Sequence, residues 1–448
     1  MPLTNQDTIF ARASAPGKAG VAVYRLSGPS ARMVTEQLIG TKIKIREAMV
    51  TAIRDPSDGS VIDHGIVLFF ENPKSFTGED VAELHLHGAR AVEKSLFETL
   101  VRLGLRLAEP GEFTLRAFRN AKMDLAQVEA LADLIDAETI EQRKQALGQL
   151  SGALSDAATA LRGELLDVMT PLEADIDFPD EGDVPAAIAA RAGPAISALQ
   201  EALTMFLINS ERARKIRTGI NIAIIGPPNA GKSSLINALA GAPVAIVSDM
   251  AGTTRDVVEA RLDLGGQLVT IADTAGLRHT PGDAVEAEGM ARARDRAQSA
   301  DLRIGVLDPR ALDVSRETLA ALTEGDFLIW SHADLEPVLP AIDLSPGITA
   351  LTASGKTGDG VDDIIENIKS RFSDGSGGDV GLLTRARHVG AVEGALGALA
   401  RAQDKLAIAP ELAAEDVRMA ARSLGLITGD VGVEDVLGEI FSSFCIGK

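Results

Sequence analysis

The sequence predicts a multidomain protein that combines two α/β domains with an all-α helical bundle. Strand-like runs alternate with helical stretches in the first 120 residues and again in the middle of the chain. Long helical periodicities lie on both sides of that middle part, which is therefore expected to be a doubly wound sheet inserted into one discontinuous helical domain. The predicted boundaries are 1–120 for the N-terminal α/β domain, 121–215 and 376–448 for the helical domain, and 216–375 for the inserted domain.

Length and composition limit the class of protein. The chain has 448 residues, 46% of them hydrophobic and 24% charged, which is enough for about three domains with separate cores. Its formal charge of −20 excludes a chain-wide attraction to nucleic acid, so an RNA contact would need a local basic patch. The single cysteine excludes an intrachain disulfide framework. No apolar run reaches the length of a membrane span and no signal peptide precedes the first strand, so we expect a cytoplasmic protein without membrane contact.

In the N-terminal domain, β-branched residues and alternation predict strands, and the stretch 91–103 has apolar residues at helical spacing. His85 and His87 lie two residues apart and therefore share a face of one strand. Two histidines without a third ligand are more typical of packing or surface positions than of a metal site. The predicted strands are 21–28, 65–70 and 80–88.

Heptad spacing then predicts one long amphipathic helix of a bundle, which prolines and acids interrupt at 177–185. A second helix follows, and after a Gly-rich linker at 374–379 helical spacing returns in two further stretches. The apolar stripe of the first helix is Leu147, Leu154, Leu161 and Val168, and that of the second is Ile196, Leu199, Leu203 and Phe206.

A cluster of charged residues directly precedes the inserted domain. It is either the solvated end of a helix, which is the reading we favour, or a contact for RNA. The cluster consists of Glu211, Arg212, Arg214, Lys215 and Arg217.

The inserted domain opens with an apolar strand, a Gly-rich loop and a helix over residues 220–234, and Gly226, Gly231, Lys232 and Ser233 complete the phosphate-loop pattern. Glycines let backbone N–H groups approach a β-phosphate, and the following helix directs its positive end at the charge. Lys232 would reach the β- and γ-phosphates, and Ser233 would ligate Mg²⁺. A plain glycine turn does not account for the complete pattern. The predicted nucleotide contacts of the loop are Asn229, Ala230, Gly231, Lys232, Ser233 and Ser234.

Two switch-like segments follow in the order typical of GTPases. Thr254, in the loop before a strand at 258–264, would place its hydroxyl on Mg²⁺ and its N–H on the γ-phosphate. Asp273 ends the next strand and would hold Mg²⁺ through water, and the Gly276 N–H would contact the γ-phosphate. The order indicates a nucleotide hydrolase of the GTPase type. The predicted nucleotide contacts here are Ser248, Asp249, Met250, Ala251, Gly252, Thr253, Thr254, Asp273, Thr274, Ala275 and Gly276.

The base-reading segment departs from the usual pattern. Where Asn-Lys-x-Asp is expected after the strand at 327–330, the chain has Ser331, His332, Ala333 and Asp334. Asp334 still accepts both N–H groups of a guanine edge, but the amide and the lysine stem are missing. Ser354, Gly355 and Lys356 stand where a backbone N–H contacts the guanine oxygen. We therefore predict a preference for GTP with weakened affinity or specificity.

Over essentially its full length the chain resembles the MnmE (TrmE) family of tRNA-modification GTPases. The resemblance implies an N-terminal folate-binding and dimerisation domain, a discontinuous helical domain and an inserted G domain. It also implies a homodimer that acts with the FAD-dependent protein MnmG (GidA), in a heterotetramer or larger complex, to place aminomethyl or carboxymethylaminomethyl groups on the tRNA wobble uridine. The carbon would come from 5-formyl- or methylene-tetrahydrofolate. The segments that carry the resemblance are 7–31, 75–88, 109–135, 226–239, 252–256, 273–278 and the terminal FCIGK.

The resemblance assigns further roles by matched position. Arg25, Glu83, Lys122 and Lys448 would contact 5-formyl-tetrahydrofolate. Family members hydrolyse GTP without an arginine finger, because two G domains meet around K⁺. The K⁺ ligands would be Asn229, Ser248, Met250 and Thr253. The catalytic residues would be Thr254, Gly276 and Glu286; Glu286 would orient the attacking water in a loop that is one residue longer here, with Glu288 nearby.

Two alternatives stay open. Cys445 is either a nucleophile or, as we favour, a packing residue, because no sequence neighbour lowers its pKa. The chain could also be a regulatory GTPase, such as a ribosome-assembly factor, without tRNA chemistry, and folate binding would discriminate between the two functions. A purely structural role with a degenerate nucleotide site rests only on the altered base-reading segment, and the intact phosphate loop opposes it.

Overall fold

The computed structural model divides the chain into two compact units, each built from separate segments. The first comprises Met1–Ala132, Gln149–Leu203 and Gly390–Lys448, and the second comprises Asp133–Gly148 and Thr204–Val389. The predicted multidomain fold of α/β and helical parts is confirmed. The structure describes residues 7–177, 184–246, 259–273, 299–311, 316–335, 338–340, 342, 344–372, 381–430, 437–438, 441, 444 and 447.

The first unit contains a mixed sheet covered by two helices. In β5, alternate side chains are buried, because successive residues of a strand point to opposite faces. The elements are β1 (Ile9–Arg12), β2 (Ala19–Ser27), α1 (Ala31–Ile39), β3 (Met49–Arg54), β4 (Val61–Phe70), β5 (Val81–Gly88), α2 (Arg90–Arg102) and β6 (Arg106–Leu107). The strands lie in the order β3-β4-β5-β2-β1-β6, and only β1 and β6 pair in parallel.

The helices that follow are α3 (Glu112–Arg119), α4 (Leu125–Asp136), α5 (Ile140–Leu150), α6 (Ala153–Asp177) and α7 (Val184–Ile208). The prediction of one continuous helix through Leu147 and Leu154 is wrong. At Gly152 φ is 102°, and its N–H bonds the carbonyl of Gln149, so one helix ends and another begins. Leu147 lies on α5 and is 46% exposed, whereas Leu154 lies on α6 and is fully buried.

The second unit contains a six-stranded sheet with the order β12-β11-β10-β7-β9-β8 among the described strands. All neighbours are parallel except β8 and β9, which form a hairpin that turns at Gly265 and Gly266. The elements are α8 (Ser210–Thr218), β7 (Ile220–Ile225), α9 (Lys232–Ala240), β8 (Glu259–Leu264), β9 (Gln267–Asp273), β10 (Leu302–Leu307), α10 (Arg316–Ala321), β11 (Phe327–Trp330), β12 (Thr349–Thr352) and α11 (Val361–Phe372).

Two helices, α12 (Ala386–Lys405) and α13 (Pro410–Thr428), confirm the helical spacing predicted near the end of the chain. In the first unit α13 packs along α6, and Arg418 pairs with Glu173. Across the described ranges, no helix is long and apolar enough to cross a membrane.

Candidate nucleotide site

The predicted nucleotide-contact residues that are described lie at one edge of the second sheet, where its parallel strands end. The phosphate loop follows the last residue of β7, Ile225, and Asp273 is the last residue of β9. Ser331 follows β11, and Ser354 follows β12 after one intervening residue. Ligands of doubly wound sheets bind at this edge, because loops from several strands converge there.

The phosphate loop approaches the sheet so closely that its first glycine is required. Gly226 has φ 155°, and a Cβ built on it would lie 2.3 Å from the Val306 carbonyl oxygen of β10. Asn229 is exposed at the tip of the loop and adopts φ 63°, which is uncommon for a residue with a side chain. The helix α9 begins directly after Gly231, so its positive end faces the loop.

Lys232 and Ser233 occupy the first turn of α9. Lys232 is only 5% exposed, and its ammonium group donates to the carbonyls of Gly226 at 3.0 Å and Pro227 at 2.9 Å. Ser233 Oγ donates to Asp273 Oδ2 at 3.2 Å, so two of the three residues predicted to hold Mg²⁺ are brought together. A hydroxyl and a carboxylate are hard oxygen ligands of the kind that Mg²⁺ prefers, and this pair therefore fits the ion.

The remaining predicted residues of the phosphate and potassium sites lie outside the described residues. The same holds for the tail residues Cys445 and Lys448. The others are Ser248, Asp249, Met250, Ala251, Gly252, Thr253, Thr254, Thr274, Ala275, Gly276, Glu286 and Glu288.

The carboxylate predicted to read the base, that of Asp334, is fixed by the loop after β12. The Ser354 hydroxyl donates to Asp334 Oδ1 at 2.7 Å, and this hydrogen bond holds the pKa of Asp334 below its usual range. The backbone N–H of Lys356 donates to Ser354 Oγ at 3.2 Å. Gly355 lies against α9, because a Cβ on it would be 2.4 Å from the carbonyl carbon of Ser234. The loop that contains Gly355, called the base loop below, and the helix α9 are therefore in backbone contact.

His332 and Ser331, the residues that replace the usual lysine and asparagine, have partners of their own. Ser331 is 6% exposed and its hydroxyl donates to the carbonyl of Leu307 at 3.1 Å. His332 adopts φ 61°, and its Nε2 lies 3.6 Å from Asp308 Oδ2. The hydrogen bond from Arg310 holds the pKa of Asp308 at about 2, so Asp308 faces His332 as an ionised carboxylate. Sequence reasoning missed Asp308 and Arg310, which lie directly after the end of β10.

In the first unit, two of the predicted folate contacts form an ion pair across neighbouring strands. Arg25 of β2 lies opposite Glu83 of β5, and its Nε and Nη2 donate to Glu83 Oε1 at 3.1 and 2.9 Å. The Arg25 guanidinium also lies 5.2 Å from the ring centre of Phe76. Lys122 Nζ donates to the carbonyl of Pro73 at 3.0 Å. Arg25 and Lys122 therefore contact the same segment, 73–76. His85 lies 3.3 Å from Glu83, and His87 pairs with Asp63.

A second charged network in this unit was not predicted. Arg116 of α3 is 4% exposed and binds three carboxylates at once. The network has no sequence signal, because its members come from distant parts of the chain. The contacts are Arg116 Nη2 with Asp7 Oδ1 at 2.8 Å and with Glu112 Oε1 at 3.0 Å, and Arg116 Nη1 with Glu79 Oε2 at 3.1 Å.

These features define the class of protein. A phosphate loop joins the central strand of a doubly wound sheet to its helix, an aspartate ends the neighbouring strand, and Asp334, the carboxylate predicted to read the base, follows β11. This combination is that of a P-loop nucleotide hydrolase of the GTPase type.

Comparison with known proteins gives the family. The family model described as MnmE helical domain matches residues 125–445, and GTP-binding protein TrmE N-terminus matches residues 8–122. The tRNA modification GTPase MnmE of Parvibaculum lavamentivorans is 48% identical over 447 residues, covering 99% of this chain and 100% of the relative. That of Caulobacter vibrioides is 46% identical over 448 residues, with the same coverage. The chain belongs to the MnmE family of tRNA modification GTPases.

Solved structures give a weaker likeness. The G domain of the Thermotoga maritima FeoB iron transporter is 26% identical and covers 34% of this chain and 98% of its own, with a TM-score of 0.25. A TM-score this low supports no argument on function.

Proposed function

We propose that this chain is a K⁺-activated GTPase that works as a homodimer and, with the FAD-dependent MnmG protein, modifies the wobble uridine of tRNA with a tetrahydrofolate carbon. Membership of the family makes the chain a GTP hydrolase tied to tRNA modification. The observation that carries the nucleotide part is the convergence of Lys232, Ser233 and Asp273 at one edge of the sheet. The proposed domains are those predicted from the sequence, and the proposed location is the cytoplasm.

In the proposed phosphate site, Lys232 leaves the carbonyls of its own loop and binds the β- and γ-phosphate oxygens. Since Lys232 is 5% exposed and its ammonium group is already directed at the loop, little reorganisation is needed. Bound Mg²⁺ would supply positive charge beside the phosphates. Ser233, Thr254 and Asp273 would hold it, and the N–H of Gly276 would contact the γ-phosphate.

The proposed potassium site is built around Asn229. Its exposed side chain at the tip of the phosphate loop supports this role, because an exposed amide oxygen there is free to ligate an ion between two G domains. Ser248, Met250 and Thr253 would complete the site, and Glu286 would orient the water.

The test is GTP hydrolysis in K⁺ against Na⁺. We expect a faster rate in K⁺ for the wild type and an equal, low rate in both ions for Asn229→Ala, with GDP affinity retained. Asn237→Ala serves as the matched control, because Asn237 is an exposed asparagine of α9 outside the predicted nucleotide contacts. Equal wild-type rates in K⁺ and Na⁺ would remove both the potassium site and the dimer mechanism.

The proposed folate site lies in the first unit, around the ion pair of Arg25 and Glu83. Glu83 holds the Arg25 guanidinium beside Phe76, so the pair offers both a cation for a carboxylate or formyl oxygen and an acceptor for a pterin N–H. Lys122 and Lys448 would add positive charge for the glutamate carboxylates. The test is calorimetric titration of 5-formyl-tetrahydrofolate into Arg25→Gln and into Arg54→Gln, an exposed arginine of the same sheet. Loss of binding is expected only for Arg25→Gln, and equal binding by both variants contradicts the assignment.

A further inference from the structure

A cavity of about 450 Å³ lies in the second unit at the edge of the sheet where the parallel strands begin. This edge is opposite to the phosphate loop, since Ile220 is the first residue of β7 and Gln267 the first of β9. The floor of the cavity is apolar and comes from β7, the β8–β9 hairpin, α8 and α11. Its buried members are Ile216, Ile220, Leu264, Val269 and Ile368.

The charged side chains around this cavity are mainly basic. Four cations and two carboxylates line it, and both carboxylates have hydrogen-bond or ion-pair partners. Asp301 Oδ2 accepts the backbone N–H of Asn221 at 2.9 Å, and Lys215 lies 3.9 Å from Asp301 Oδ1. Glu141 Oε1 accepts from Lys144 at 2.7 Å. The four cations are Arg212, Lys215, Lys369 and Arg371.

Three of these cations have no anionic partner among the described residues: Arg212, Lys369 and Arg371. Because the whole chain has a formal charge of −20, this group of cations gives the cavity a local charge of the opposite sign. Lys369 and Arg371 lie in the last turn of α11, where the helix dipole favours a cation. Arg212 lies in the first turn of α8, where the dipole disfavours a cation, so helix capping does not explain it.

We propose that this basic cavity is a contact site for the phosphodiester backbone of RNA; the choice of tRNA as that RNA rests on the proposed function. Arginine forks bind phosphate oxygens in two-bond geometry, and Arg212 and Arg371 provide two of them from different helices. The half-buried ring of Phe372 at the wall adds a surface for a ribose or base. A volume of about 450 Å³ is in the range of sites for small organic groups, which is enough for about one nucleotide.

The experiment measures binding of an unmodified tRNA transcript to the full-length protein by fluorescence anisotropy, over a KCl series without nucleotide. The test variant combines Arg212→Gln, Lys369→Gln and Arg371→Gln. The control variant combines Lys18→Gln, Lys42→Gln and Arg90→Gln, which changes the net charge equally at exposed cations outside the cavity. GDP affinity and the thermal midpoint are measured for both variants.

We expect the test variant to bind tRNA about 10- to 100-fold more weakly at 0.15 M KCl and to lower the slope of log Kd against log salt by about 2 to 3, because three phosphate contacts are lost. The control variant keeps the wild-type slope, and both variants keep GDP affinity, since the nucleotide site lies at the other edge. Equal slopes of log Kd against log salt for the two variants overturn the proposal that the cavity binds RNA. So does displacement of tRNA by poly-glutamate at equal charge, which assigns the cavity to an acidic protein segment.

The outcomes separate this proposal from the proposed function. If the wild type binds tRNA and both variants bind it equally, the cavity proposal fails while tRNA remains the substrate. If the wild type does not bind tRNA but hydrolyses GTP, the cavity proposal and the direct tRNA contact fail while the GTPase stands.

Discussion

Replacing Arg116 with methionine should locally destabilise the first unit. Methionine retains the apolar stem but removes the charge that holds Asp7, Glu79 and Glu112 together at 2.8, 3.1 and 3.0 Å. The Arg116 side chain is 5% exposed. Arg106 still pairs with Asp7 and Glu112 in the variant, but Glu79, whose side chain is 12% exposed, loses its cation. Removing one partner of a buried ion pair costs about 3–5 kcal/mol.

Hydrogen exchange of the α3 peptides, followed by mass spectrometry, measures this cost in the intact chain. A loss of about 3–5 kcal/mol raises their exchange rates by roughly two to four orders of magnitude. Arg119→Met is the matched control, because Arg119 lies on the same helix but is exposed. Exchange in Arg116→Met that equals exchange in Arg119→Met would refute the reasoning.

Acid gives a second readout of the same network. Burial acts to raise the pKa of Glu112, but the hydrogen bonds from Arg106, the Glu109 N–H and Arg116 outweigh it and hold the pKa below its usual range. A carboxylate with a lowered folded-state pKa stabilises the fold above its unfolded pKa and loses this contribution as the pH falls through the folded value. Corrected for intrinsic rates, α3 protection in the wild type should therefore fall with acid, and Arg116→Met should show a smaller fall.

Three further changes test the nucleotide site. Lys232→Ala should weaken GTP binding and abolish turnover while leaving the melting temperature close to wild type, as measured by fluorescent GDP titration and phosphate release; full turnover would contradict the proposed phosphate contact. Ser354→Ala removes the hydrogen bond that lowers the pKa of Asp334, so GDP affinity should fall off at a higher pH on the acid side than in the wild type; identical pH profiles would argue against base reading by Asp334. Gly355→Ala places a Cβ 2.4 Å from the Ser234 carbonyl carbon and should weaken GDP and ADP equally, because it displaces the loop rather than changing a base contact; an unchanged GDP affinity would mean that the loop shifts without consequence.

The phosphate loop was predictable because its chemistry is local. Gly226, Lys232 and Ser233 have a fixed spacing. The close approach of Gly226 to Val306 shows why the first position of the loop must be a glycine. The hairpin at Gly265 and Gly266 was equally predictable, since a two-residue turn leaves few alternatives.

Features that depend on distant contacts were not predictable. The Arg116 network joins residues about a hundred positions apart, such as Asp7, and a sequence pattern carries no distance information of that kind. The helix prediction through Leu147 was wrong because heptad spacing continues across the break at Gly152, where a single backbone angle decides the outcome. The pairing of His332 with Asp308 likewise depends on two strand ends meeting in space.

The contact between Gly355 and Ser234 restricts how this enzyme can be re-engineered. Library selections for a new base preference usually vary the residues that face the purine. Here the backbone of the base loop lies directly on α9, so a bulkier loop would shift the helix whose first turn carries Lys232 and Ser233. Successful variants should therefore carry paired changes at the loop and in α9. A library confined to the loop should yield mostly proteins that bind the phosphates of the nucleotide weakly or not at all.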